Sequence, residues 1–112
     1  MTSDFSGWQN SVRLIGRVTS AAEEIELPSG ETLVRFRMVV PRAKPATKVT
    51  VETIDCVSFE AGSQRTSRSL SIADVVEILG ELRRRFCRAG TGVVSRVEVE
   101  VTALDLVKMP QT

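Results

Sequence analysis

The clearest element of the chain is a stretch of alternating side chains. Val34, Phe36, Met38 and Val40 alternate with Leu33, Arg35, Arg37 and Val39. A period of two is that of a β-strand, so the first set shares one sheet face and the two arginines lie side by side on the other. Immediately before it, Pro28-Ser29-Gly30 supplies a residue of fixed φ and one that tolerates positive φ, as a tight reversal requires. Upstream, Val12, Leu14, Gly16 and Val18 alternate with Arg13, Ile15 and Arg17, which predicts a first strand over Ser11–Val18 with a bulge or bend at Gly16. Ala21–Leu27 continues as a short strand and meets the Leu33–Val40 strand through the Pro-Ser-Gly turn, giving a hairpin.

The same pattern returns downstream. Val49–Phe59 reads as a strand with Ile54, Cys56 and Ser58 on one face and Thr53, Asp55, Val57 and Phe59 on the other. The polar run Glu60–Ser71 breaks the alternation and holds one short helix, ending near Leu70 and Ile72. Asp74–Phe86 is a fourth main strand with a bend at Gly80, Cys87–Gly92 is a hairpin loop, and Val93–Val107 is a long last strand. In it Val97, Val99 and Val101 face inward against Glu98 and Glu100. Five main strands, glycine bends and one short helix between strands 3 and 4 predict an all-β fold, a five-stranded OB-fold barrel. A sandwich would need more strands. The expected organisation is a flexible N-terminal arm at 1–10, the barrel at 11–108 and a short end at 109–112.

Composition fits one ordinary domain: 112 residues, 42% hydrophobic and 26% charged, with a Val, Leu and Ile core composition that favours strands. The net charge is only +1, but the charges are segregated along the chain. Four glutamates and no base lie between Thr19 and Val34, then five bases and no acid between Arg35 and Val51, and five arginines without an acid between Leu82 and Val97. Segregation of this kind predicts a local basic surface for a polyanion, with a merely solvated strand face as the alternative. Twelve of the fifteen bases are arginine, the better residue for phosphate forks and for stacking on bases.

Little catalytic chemistry is on offer. There is no histidine, no glycine-rich phosphate loop before a helix, and no metal-ligand spacing around Cys56 and Cys87. The two cysteines are either a disulfide or, better suited to a reducing compartment, two free thiols. Glu23, Glu24 and Glu26 cluster beside no nucleophile and read as a solvated strand face. No secretory signal and no apolar run of membrane-spanning length is present, so the expectation is a cytoplasmic protein that is not an enzyme and uses no cofactor, metal or small-molecule substrate.

Five segments in register resemble the bacterial single-stranded DNA-binding proteins. They are NSVRLIGRV at Asn10–Val18, LPSGETLVRFRMVVPR at Leu27–Arg42, ETIDCVSF at Glu52–Phe59, ILGELRRR at Ile78–Arg85 and VEVEVTALDLV at Val97–Val107. The resemblance implies an OB barrel that assembles as a homotetramer, or as a dimer in variants, and binds single-stranded DNA without sequence choice in replication, recombination or repair, at the nucleoid. It implies a cationic groove with aromatic platforms, built here from Arg35, Arg37, Arg42, Lys44, Lys48, Thr53, Phe59, Arg83, Arg85, Phe86 and Arg88.

The departures from the family pattern are specific. Thr53 stands where the family usually has an aromatic, Asp55 where it has a base, and Lys44 near a position that often offers another aromatic. Phe59 matches a stacking phenylalanine, with a core role as its alternative, and Phe86 takes a second platform through a one-residue shift. Losing two platforms at roughly 1–3 kcal/mol each predicts weaker, more salt-sensitive binding unless arginine stacking compensates. The sequence also ends without the family's acidic recruiting tail, which predicts an accessory paralogue. Two alternatives share the fold: a dimeric module like the primosomal replication protein, and a protein-interaction module with little DNA affinity.

Overall fold

The structure is a computed structural model that describes residues 6–42, 48 and 50–107. Five strands and one helix follow in the order β1 (Val12–Glu26), β2 (Thr32–Pro41), β3 (Val51–Ser58), α1 (Ala61–Arg68), β4 (Val75–Ala89) and β5 (Gly92–Leu106). The strands close into a barrel in the order β1-β2-β3-β5-β4, with α1 between β3 and β4 as expected for an OB fold. All neighbours are antiparallel except β3 and β5, which meet in parallel at Cys56–Val99 and Val57–Glu100.

Closure rests on β1, which pairs with β4 through its first half and with β2 through its second; Arg17 belongs to both ladders. The two upstream strands expected from the sequence are therefore one. Their seam at Thr19 to Ala22 is where the β1–β2 register shifts twice, between Val18 and Ser20 and between Ser20 and Glu23. Gly16 is not at a register break. It lies where β1 passes close over β2, and a Cβ there would overlap the Val39 carbonyl oxygen. At Gly80 the expected irregularity is present, between Leu79 and Gly80, and a Cβ would overlap the Glu100 carbonyl oxygen.

The inward residues follow the period-two pattern. Val18, Phe36, Met38, Cys56, Val76, Ile78, Val99 and Val101 form the core, with Val40 and Ile54 packed against it. One end of the barrel is closed by α1 and by Leu70, which is 6% exposed. The helix carries almost no apolar surface. Its buried residues are Ser63 and Ser67, the latter 3.3 Å from the Ser58 hydroxyl, while Gln64 donates to the carbonyls of Thr32 and Ser58. Side-chain hydrogen bonds to strand backbone thus hold the helix where a hydrophobic stripe would be expected.

The β1–β2 turn forms as expected, with Gly30 at φ 90° and its N–H donated to the Leu27 carbonyl. The last hairpin is tighter than the predicted Cys87–Gly92 loop. β4 continues to Ala89 and only Gly90 and Thr91 turn, so Cys87 and Arg88 are strand residues. β4 and β5 consequently project beyond the barrel as a two-stranded arm. Val97 shares the inward face with Val99 and Val101 as expected but is 50% exposed, because β5 joins β3 only from Val99 onward and nothing covers the arm before that point. Glu98, expected on the face opposite the inward valines, is buried. Where β4 leaves the barrel, Asn10 donates to and accepts from the Leu82 backbone at 2.6 and 2.8 Å, fastening the end of the N-terminal segment to β4.

Candidate nucleic-acid interface

The outward side chains of β2, β3, β5 and β4 form one continuous face. Strand pairing sets Arg35 opposite Val57, Arg37 opposite Asp55, Val57 beside Glu100, and Arg83 opposite Glu98. Val57 is fully buried in the floor of this face, and Phe59, two residues on, is half-buried at its edge. The Arg83 guanidinium lies 4.9 Å from the centre of the Phe59 ring. Phe59 is thus outside the buried core cluster and carries a planar cation on its face.

The arginines of this face are not free. Arg35 donates to Glu23 at 2.5 Å, Arg37 to Asp55 at 2.7 Å, Arg83 to Glu100 at 2.6 Å, and Arg85 to both oxygens of Glu98 at 2.7 and 3.1 Å. Arg42 lies 3.5 Å from Glu52. The acid-free run seen in the sequence therefore does not produce an uncompensated cationic strand face: β1 supplies Glu23, and β3 supplies Glu52 and Asp55. Segregation along the chain is undone by strand pairing. Arg85 is the extreme case, with 12% of its side chain exposed against a fully buried Glu98. Accepting from it, Glu98 raises the already high pKa of the guanidinium, against the opposing effect of burial.

Beside this face is a cleft of about 470 Å³ between the β1–β2 hairpin and the β4–β5 arm, lined by Ile25, Leu27, Arg35, Arg85, Phe86 and Arg96 among others. Phe86 is 69% exposed there, an aromatic available for stacking. Arg88 and Arg96 also border the cleft, and neither forms an ion pair among the described residues. Lys48 is exposed at a bend ahead of β3, Thr53 is exposed on β3, and Lys44 lies outside the described residues. The expected site residues thus divide into a charge-balanced strand face (Arg35, Arg37, Arg42, Arg83, Arg85) and free cations around the cleft and the β2–β3 connection (Arg88, Lys48). Sequence reasoning passed over Arg96. Its signal was the hairpin register, which sets it directly opposite Arg85.

A profile of the single-strand binding protein family matches residues 9–109. The chain belongs to that family. Among solved structures it is similar to the small single-stranded DNA-binding protein of Streptomyces coelicolor, with a TM-score of 0.62 and 19% identity over 87% of this chain and 93% of that one. It is also similar to the Plasmodium falciparum SSB in complex with ssDNA, with a TM-score of 0.74 and 16% identity over 96% of this chain and 100% of that one. At these identities the likeness is one of fold. No curated protein matches the sequence. Cys56 and Cys87 are both free thiols, and no metal-binding cluster lies among the described residues. No described helix is long and apolar enough to cross a membrane.

Proposed function

We propose that this member of the single-strand binding protein family binds single-stranded DNA without sequence choice, on the outer β2–β3–β5–β4 face and in the adjoining cleft. Single-stranded DNA is the ligand of the family. The observation that carries the placement is the Arg83–Phe59 stack at the edge of the face, a planar surface that accepts any base. Phe86 in the cleft supplies a second platform, and Lys48, Arg88 and Arg96 the free cations for phosphate. Lys44, Thr53, Arg42 and the paired arginines complete the set of proposed contacts. The cellular setting of this reading is replication, recombination or repair at the nucleoid, by a self-associating, non-catalytic protein.

Anisotropy titration with labelled oligo(dT) tests it. The three cations of the site without an ion pair among the described residues predict a log–log salt slope of about −2, from about −0.7 per phosphate neutralised. Replacing Phe59 by Ala removes one platform and is expected to weaken binding by roughly 1–3 kcal/mol, with thermal unfolding confirming that the barrel persists. Absence of binding to long oligo(dT) at low salt would exclude the assignment. It would favour the protein-interaction module instead, the reading to which the neutralised arginines lend their weight.

A further inference from the structure

The carboxylates of the strand face sort into two kinds. Glu98 is buried beneath Arg85 and held by two hydrogen bonds, so that pair stays closed: pulling Arg85 away would strand a buried charge. Asp55 and Glu100 differ. Each contacts one guanidinium through one oxygen, Asp55 to Arg37 Nε and Glu100 to Arg83 Nη1, and both pairs are open to solvent, with side-chain exposures of 50% and 25% in the first and 38% and 30% in the second. Such a pair is weak enough to exchange with an arriving phosphate. Both acids point from the same outward face as Arg35 and Val57, in the middle of the surface a strand of DNA would cross.

Resting on the function proposed above, we propose that Asp55 and Glu100 are specificity-determining residues, which occupy Arg37 and Arg83 so that a polyanion without unstacked bases finds no free cation on the strand face. Charge alone gains nothing there, because each phosphate must displace a carboxylate and then sit beside it. Single-stranded DNA brings bases as well. Their stacking on the Arg83–Phe59 surface offsets the exchange, which duplex DNA, with its bases already stacked, does not do. The face therefore selects for exposed bases by suppressing binding through charge.

The test compares the wild-type protein with D55N/E100Q, using labelled oligo(dT), a labelled duplex and heparin as a competitor without bases. The amides keep the shape of the side chains and free both arginines. Duplex affinity is expected to rise at least tenfold and heparin to compete correspondingly better. Affinity for oligo(dT) should rise by a smaller factor, and its log–log salt slope should steepen by about 1.4, for two further phosphates. E24Q controls for the net charge of each single variant: it breaks the Arg68–Glu24 pair between α1 and β1, outside this face, and should change none of these values. The single variants D55N and E100Q, each carrying about half the slope change, answer the question if the double variant does not fold. Equal gains for oligo(dT) and duplex, no gain for either, or the gain of a single variant reproduced in E24Q would overturn the inference while leaving the proposed function standing. Failure of every variant and of the wild type to bind oligo(dT) would instead overturn the function, and this inference with it.

Discussion

At the scale of single residues, the core thiol shows how the charge of the outer strand face reaches into the barrel. Cys56 is buried among the apolar core residues, and its pKa is pushed up to about 12, first by burial and then by the neighbouring Asp55 charge. The native state therefore holds the thiol proton between about pH 9, where the unfolded thiol loses it, and about pH 12. Across that window the native state binds more protons than the unfolded one, so stability falls as pH rises, by at most about 1.4 kcal/mol per pH unit from this group. Denaturant titrations at pH 8 to 11 should show this alkaline loss, shallower in Cys56→Ala than in the wild type. The free state of both cysteines agrees with the reading taken from their spacing. What Glu98 does could not be read that way: its alternation with valines placed it on the outer face correctly, but its burial depends on Arg85, thirteen residues away on another strand.

The elements themselves were legible wherever alternation was strong. β2 runs as its pattern predicts, because apolar period and burial agree at Val34, Phe36 and Met38. β1 was harder to follow, since Ser-Ala-Ala interrupts the apolar rhythm just where two register shifts re-aim the strand. The helix has no apolar stripe to detect; it is fixed by Gln64, Ser67 and the strand ends they meet. Glycines separate the two kinds of constraint. Gly80→Ala drives a methyl into the Glu100 carbonyl oxygen, so β4 and β5 must part at the point where the arm leaves the barrel. A loss of about 1–3 kcal/mol, the usual scale of overpacking, is expected. Gly62→Ala, in the first turn of α1 with nothing within 4 Å, should be neutral or stabilising by up to about 1 kcal/mol. Parallel thermal unfolding of the two variants reads both signs in one experiment.

For the whole molecule, surface apolarity bears on the proposed self-association. The outer wall formed by β1 and β4 exposes Ile15 at 45% and Leu79 at 42%, next to the Arg13–Glu77 pair and the Arg17 position. Cross-strand pairing sets Arg13 beside Leu79 and Ile15 beside Glu77, an alternation of charge and apolar surface that can complement a second copy turned about a twofold axis. Such a surface is invisible in the sequence, where Ile15 and Leu79 look like any other strand residues. The wall is separate from the strand face that carries Arg37, Asp55 and Glu100, so assembly and DNA binding can be perturbed independently. Sedimentation at micromolar concentration is expected to give a species heavier than the 12.3 kDa monomer, a tetramer or a dimer. Leu79→Glu puts a charge into the centre of the wall and should shift the protein toward monomer, while affinity for an oligonucleotide short enough to occupy one barrel stays within a few-fold of wild type. Long oligo(dT) should then lose affinity in the same variant, because linked barrels on one strand gain from effective concentration and separated ones do not. A wild-type protein that sediments as a monomer would remove this wall from the account and leave each barrel to bind alone.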